Sequence, residues 1–437
     1  MKETDGKLGL LSSVCILVGG CIGSAIYSLS GMTMYYAGAS SILSWIIAAL
    51  IQGSYGIQVA ELSVRYPRSG GVYIFPSRAL SPFWGFIASW GYVVTNFVAV
   101  AFAAIYIGTY LSVSFAIFQN YRTLLAIVAI IITALLNSLK ISRTGKFNVA
   151  LVFFLLITMI TFAVVSFTND TFNISNFTPF FNGAKGKFGF LSAIPNAMVG
   201  YGSVVSIAFM VENIKNPNKT VPRSMAISML IVMAIYIMII VATLGHVTIS
   251  YLIENPGMRF IPLFAAVWTS MTSSLWLSKL ISISAFFALI TTMLVVQYLN
   301  ALAIKAMASD NKLPKLLSRV NKNDAPIYAI ILSALISSLL SLKPSLTEFL
   351  VNLASLIACI TIVIVISSLI KSRRTTPHID GAYKAFGGNA LSILTICVIV
   401  ICYIPSIISG NLYMWGFTAL VYLIGIIVYK IYEKRTA

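Results

Sequence analysis

Two short clusters of helix-breaking residues carry most of the chemistry legible in this chain. One reads Gly19-Gly20-Cys21-Ile22-Gly23-Ser24; the other is Pro195 followed by Gly200-Tyr201-Gly202-Ser203. Each sits in the middle of an apolar run. Within a helix, glycine costs about 1 kcal/mol and proline about 3 kcal/mol relative to alanine, so such clusters predict interruptions. An interrupted helix presents unpaired N–H groups at its new N-terminus, where the dipole end is positive and suits a carboxylate. It also presents unpaired C=O groups at its new C-terminus, which suit an ammonium. Two such interruptions could hold a small zwitterion, such as an α-amino acid, with no buried charged side chain. The alternative is that the glycines serve only close helix packing, as small residues do in membrane bundles.

The surrounding elements are set by composition. Of 437 residues, 59% are hydrophobic and 9% charged, and the mean hydropathy is +0.94. Soluble chains carry roughly 25% charged residues, so a soluble globular domain is excluded. Twelve apolar runs are expected to cross a bilayer, at about 9–36, 40–62, 83–111, 122–139, 147–168, 190–211, 224–245, 275–303, 326–342, 346–370, 389–409 and 412–431. Lipid cannot satisfy backbone polar groups, so the expected fold is all-α. The two-residue alternation of a membrane barrel is absent. The interruptions fall in runs one and six, the first helix of each half of a five-plus-five arrangement. An odd number of helices inverts the second half, and matched interruptions in two such halves point to a transporter's central site.

The net charge of +18 reflects orientation rather than nucleic-acid binding. With the N-terminus in the cytoplasm, 23 Lys and Arg fall on inner segments and 6 on outer ones, as the positive-inside rule requires, which also places the C-terminus inside. The expected setting is a bacterial plasma membrane, with lipid as the surrounding partner and no cleavable signal peptide. Cys15, Cys21, Cys359, Cys397 and Cys402 all lie within runs and form neither a disulfide framework nor a metal-ligand pattern. His246 and His378 are isolated. Among the acidic residues only Glu61, Glu212 and Glu348 touch runs, each near an end. No ionisable side chain lies mid-run, so neither a carboxylate proton relay nor a counter-ion for a cationic substrate is expected. A nucleophile–base pair, a His/Cys/carboxylate metal set and a phosphate loop are all missing, so neither an enzyme nor a cofactor is expected. Rings of pore-lining charge, which a channel would want, are not evident.

Four segments carry a family resemblance, in order and at run ends. They are Gly23-Ser24-Ala25-Ile26-Tyr27; Ala60-Glu61-Leu62 with Tyr66-Pro67-Arg68-Ser69-Gly70-Gly71-Val72-Tyr73; Glu212-Asn213-Ile214-Lys215-Asn216-Pro217 with Val221-Pro222-Arg223; and Lys305-Ala306-Met307-Ala308-Ser309-Asp310-Asn311-Lys312-Leu313-Pro314. Across essentially its whole length the chain resembles the amino acid–polyamine–organocation (APC) family of transporters. The resemblance implies a LeuT-like fold of twelve helices, with inverted repeats over 9–168 and 190–370 and two additional helices over 389–431. It implies alternating access, with a small amino acid or amine as substrate and a proton or sodium ion as possible coupling partner.

By motif, Gly20, Cys21, Gly23, Ser24 and Ala25 would bind the substrate carboxylate, and carbonyls of Val199, Gly200 and Gly202 the amine. Tyr201 falls where the family places an aromatic gate. Asn96, with Gln297 or Asn300, is a candidate side-chain contact; interhelical hydrogen bonding is the competing role for each. Tyr236 either faces the cavity or packs. Glu61 and Glu212 read as cytoplasmic structural partners of Arg65, Arg68, Lys215 and Arg223, which form an inner gate network or a solvated charge set. Two departures stand out. Ala25 replaces the third glycine of the family's G-S-G. Leu155 lies in the region of the fifth run where several members carry a lysine, which puts lysine-dependent coupling in doubt. Thr291 and Thr292 fall where sodium-coupled relatives place hydroxyl ligands. Small neutral amino acids are the expected substrates, polyamine or amino acid/amine exchange is the alternative, and a transporter-like nutrient sensor is a remote third.

Overall fold

Apolar runs with no external partner for their backbone must close their hydrogen bonds internally. The computed structural model accordingly is helical throughout, and it describes residues 7–23, 25–139, 141–270, 275–376, 382–408 and 412–436. Among these residues the only β-type pairing is one isolated parallel bridge, Leu8 with Ile214. Helices stand at each of the expected runs. They are α1 (Leu10–Cys21) and α2 (Ser30–Ala37), α3 (Ser41–Arg65), α4 (Gly71–Ala79), α5 (Pro82–Ser114), α6 (Arg122–Asn137) and α7 (Ile141–Phe167). There follow α8 (Gly189–Gly200), α9 (Ser206–Phe209), α10 (Pro217–Leu244), α11 (Ile249–Glu254), α12 (Pro262–Ser270) and α13 (Leu275–Ser309). The chain ends with α14 (Ile327–Ser341), α15 (Thr347–Thr375), α16 (Gly388–Ile408) and α17 (Leu412–Thr436). Eight helical stretches among the described residues are long and apolar enough to cross a membrane, and nine if the bent pair ending in α9 is one span. The chain is therefore a multi-pass membrane protein.

The outer surface shows why water is the wrong solvent. On α7, Phe153, Ile157, Ile160, Val164 and Phe167 are exposed, while Val152, Leu155, Met159, Phe162 and Ala163 are buried. The exposed set recurs every three or four residues, so one whole face of the helix is apolar and unpacked. Inside, α1, α3, α8 and α10 form one packed group, and α5, α6, α13 and α14 another. α7 contacts both groups, and α15 spans from α5 to α3.

The segments that carry the family resemblance are turn and cap positions. Gly70 has φ +88 before α4, its N–H bonds Phe209 O at 2.8 Å, and a Cβ there would meet the Ala306 methyl at 2.6 Å. Asn216 (φ 46) caps α10 ahead of Pro217, and Asn311 (φ 58) turns the chain after α13. Both are asparagines in the left-handed region that this short polar side chain tolerates. The Asn-rich loop after α7 is similarly used: Asn169 and Asn173 accept from backbone N–H groups two residues on, and Asn176 donates to Leu244 O and Gly245 O.

Two ties fasten helix ends at the family-motif segments. Leu8 N–H bonds Asn213 O at 2.8 Å and Lys215 N–H returns to Leu8 O at 2.9 Å, joining the entry to α1 with the segment after α9. The second tie is the Glu61 carboxylate, which is fully buried. Arg373 holds it in bidentate fashion at 3.0 and 2.5 Å, Arg65 adds 3.0 Å, and the Ala385 N–H donates at 3.0 Å. One side chain thereby binds α3 to α15 and to the approach to α16. Removing a single partner strands a buried charge, which typically costs about 3–5 kcal/mol. We expect Arg373→Met to lower stability by about 3 kcal/mol, and Glu61→Gln with Arg373→Met to recover part of that loss. Thermal unfolding in detergent checks this; an Arg373→Met variant as stable as the unaltered protein would show that the pair carries no stability.

Candidate functional site

The first interruption follows directly from its residues. α1 ends at Cys21, and Ile22 (φ −77, ψ 87) leaves the helix while its N–H still reaches Val18 O. Beyond Gly23 the chain resumes as a π-helical turn, Ala25–Leu29, before α2. Ser24 lies outside the described residues. At the second, α8 contains Pro195 and ends at Gly200, a 3-10 turn covers Gly202–Val205, and the axis bends by 42°. The part of the first element beyond Gly23 is pinned by Tyr27, whose hydroxyl donates to Ser284 Oγ at 2.8 Å and whose carbonyl accepts from the Tyr110 hydroxyl.

The carbonyls freed at the interruptions are met by side-chain hydroxyls. Thr291 Oγ1 lies 3.0 Å from Gly19 O, and Thr292 Oγ1 lies 3.1 Å from Gly19 O and 3.4 Å from Gly20 O. A Cβ on Gly23 would fall 1.9 Å from Thr292 Oγ1, so only glycine lets the backbone approach α13 this closely. The Tyr236 hydroxyl on α10 lies 2.5 Å from Cys21 O and 2.9 Å from Gly200 O. It joins the two interruptions, but a phenol has one proton, so one carbonyl at a time lacks its donor. Its ring belongs to a buried cluster, with centroids 4.6 Å from Trp45 and 5.1 Å from Tyr201.

A cavity of about 150 Å³ lies against both interruptions. Of the residues singled out by sequence, Gly20, Cys21, Ala25, Asn96, Val199, Gly202 and Thr292 line it. Gly200, Tyr201 and Tyr236 stand behind it in the aromatic cluster; a Cβ on Gly200 would meet the Trp45 ring at 2.7 Å. Thr291 and Gly23 also lie outside its lining. Gln297 accepts from Asn137 Nδ2 at 3.2 Å, and Asn300 donates to Ser333 Oγ at 3.2 Å, which ties α13 to α6 and α14. Glu61 is in its clamp. Glu212 lines a separate vestibule of about 560 Å³ with Lys7, Arg68, Lys305, Asp310 and Asp324. Arg65 and Arg373 form ion pairs with Glu61.

None of the side chains lining the central cavity is ionisable at neutral pH. Gln52, Tyr55, Tyr92, Ser206 and Tyr403 also line it, and the sequence did not single them out. Tyr92, Thr95, Asn96 and Ala99 form one helical face by their spacing, so Asn96 alone, extended by helical periodicity, would have located its three neighbours. Ser206 and Tyr403 carry no comparable signal. For Tyr236→Phe, which keeps the ring and removes only the bridging hydroxyl, we expect a stability loss of about 1–3 kcal/mol. A melting temperature in detergent equal to that of the unaltered protein would show that the bridge stabilises nothing.

The comparisons with known proteins agree with this architecture. The family model described as amino acid permease matches residues 8–429. An uncharacterized transporter of Mycobacterium tuberculosis is 26% identical over 319 residues, 73% of this chain and 69% of its own. The branched-chain amino acid permease BcaP of Bacillus subtilis is 24% identical, over 99% of this chain and 94% of its own. The serine/threonine exchanger SteT of Bacillus subtilis is 25% identical over 53% of each chain. These relatives are transporters rather than enzymes. A family match that runs from the entry of α1 into α17, on a chain built of apolar helices, settles the assignment: this chain belongs to the amino acid permease family.

Proposed function

We propose that this protein carries small neutral α-amino acids across a bacterial plasma membrane by alternating access, as an exchanger or an ion-linked symporter. The observation that carries the reading is the cavity itself. It lies where two helices are interrupted, and no charged side chain lines it. A zwitterion fits such a site because backbone supplies both kinds of partner: carbonyls near Cys21, Val199, Gly200 and Gly202 for the ammonium, N–H groups between Gly20 and Ala25 for the carboxylate. A side-chain charge would find no counter-ion there. The size argues in the same direction, since a cavity of about 150 Å³ takes a molecule of benzene's bulk.

On this reading the helices form twelve spans with both termini cytoplasmic. The repeats are α1/α2, α3, α5, α6 and α7 against α8/α9, α10, α13, α14 and α15, with α16 and α17 outside them. The group of α1, α3, α8 and α10 rocks against the group of α5, α6, α13 and α14, and the substrate lies between. Coupling by a lysine on α7 is disfavoured, since the buried face of that helix carries Leu155. Thr291 and Thr292, facing the Gly19 carbonyl, are the groups that a sodium ion would use. The Tyr55, Tyr92 and Tyr403 side chains on the cavity could hold a cation by their faces, which keeps amine exchange as the second reading.

Two experiments test this. Purified protein in liposomes is offered labelled amino acids and amines, with and without internal substrate, sodium or a pH gradient. Uptake of a small neutral amino acid is expected; uptake of amines alone would replace the reading with the second. Dependence on internal substrate would define an exchanger, and uptake into empty vesicles driven by sodium or protons a symporter. The second experiment is Gly202→Val. Gly202 lines the cavity and a Cβ there meets nothing within 4 Å, whereas at Gly20 it would meet Ser203 Cβ at 2.9 Å. We expect uptake to fall by at least about tenfold, the equivalent of roughly 1.4 kcal/mol, with the melting temperature unchanged. Undiminished uptake would remove Gly202 from the substrate's path.

A further inference from the structure

Most polar side chains around the central cavity are already committed. Gln52 donates to Met198 O, Thr95 to Gly91 O, Thr361 to Ile357 O and Thr292 to Gly19 O. Two are not. Asn96 on α5 is 8% exposed and its Nδ2 has no hydrogen-bond partner. Ser206, the first residue of α9, is 1% exposed and its Oγ has none either. The Tyr92 hydroxyl, one helical turn away on α5, is the polar group beside the Asn96 amide. A buried polar group without a partner is unfavourable, and native proteins leave few of them. When such groups line a cavity, a ligand that completes them gains what the empty site lacks.

We propose that Asn96 and Ser206 form a side-chain subsite that selects hydroxyl-bearing amino acids, of the size of serine or threonine, over apolar ones of the same shape. The inference rests on the proposed function, because the backbone at the interruptions must hold the zwitterion before a side chain can be read. The chemistry follows from the two groups. A carboxamide and a hydroxyl are neutral, and each can both give and accept a hydrogen bond. Their natural complement is another neutral group of the same kind. A hydroxyl on the substrate's β-carbon can accept from the amide N–H and donate to the serine oxygen, or the reverse. A carboxylate or an ammonium would bring a charge that no lining group balances. A methyl in the hydroxyl's place would leave both groups as unsatisfied as in the empty cavity. A site built to bond a substrate hydroxyl rejects the analogue without it more strongly than an apolar pocket rejects an extra methylene. Lining residues such as Met198, Val205 and Phe209 are compatible with a short carbon skeleton but do not discriminate hydroxyl from methyl.

The test uses the whole protein in liposomes and a pair of near-isosteres, threonine and valine, as competitors of labelled alanine uptake. Threonine is expected to inhibit at about a tenfold lower concentration than valine. In Ser206→Ala and in Asn96→Leu the ratio of the two half-inhibitory concentrations should move toward one. Because the ratio is read within each variant, a change in overall rate drops out. Ligand-induced shifts in melting temperature of the unaltered protein, threonine against valine, give the same comparison without any variant. Equal inhibition by the two competitors, or a ratio unmoved in both variants, would overturn the subsite while leaving the transport reading intact. Absence of any neutral amino acid uptake would overturn the transport reading, and the subsite with it.

Discussion

The architecture depends on one constraint: a peptide group released from a helix inside an apolar bundle must find a partner or stay costly. Two interruptions release several such groups at the centre of this molecule. The surrounding helices are arranged around them. α13 brings the Thr291 and Thr292 hydroxyls to the end of α1, and α10 brings the Tyr236 hydroxyl to both interruptions at once. Trp45 and Tyr201 then hold the Tyr236 ring. What remains uncommitted is the cavity, with its partly satisfied polar groups. The cavity is in this sense the remainder of an incompletely balanced hydrogen-bond account.

The same logic separates two ways of using charge. Around the central cavity the lining consists of backbone and neutral side chains, which suits a solvent that penalises ions. At the helix ends, where water is near, full charges appear. There they divide into a closed clamp around Glu61 and an open vestibule around Glu212. The clamp joins helices from different parts of the bundle, while the vestibule keeps opposite charges apart across open space.

Much of this was legible from composition and order alone. Run lengths placed the helices, since lipid leaves no alternative to a helix. α1 ends at Cys21 within the first Gly cluster and α8 at Gly200 within the second, because local backbone cost is a property of the residues themselves. Partners far apart in sequence were not legible. Nothing marks Arg373 as the principal partner of Glu61, 312 positions away, and the nearby Arg65 supplies only part of the clamp. Gln297 and Asn300 looked equivalent to Asn96 as polar residues in apolar runs. They differ only in the direction each side chain takes from its helix, which the packing of α6 and α14 against α13 decides. Ser206 was hidden because a lone serine after a helix interruption has many ordinary uses.

The parallel bridge between Leu8 and Ile214 has a consequence for how this protein can vary. Its two hydrogen bonds run from main chain to main chain. The side chains at those positions are therefore not what fastens the entry of α1 to the segment after α9. Both side chains are buried, so packing limits what can stand there, but the fastening itself asks only that neither donor position, Leu8 or Lys215, become proline. The hydrogen bonds therefore impose no matched pair of side-chain types on two distant stretches of the gene.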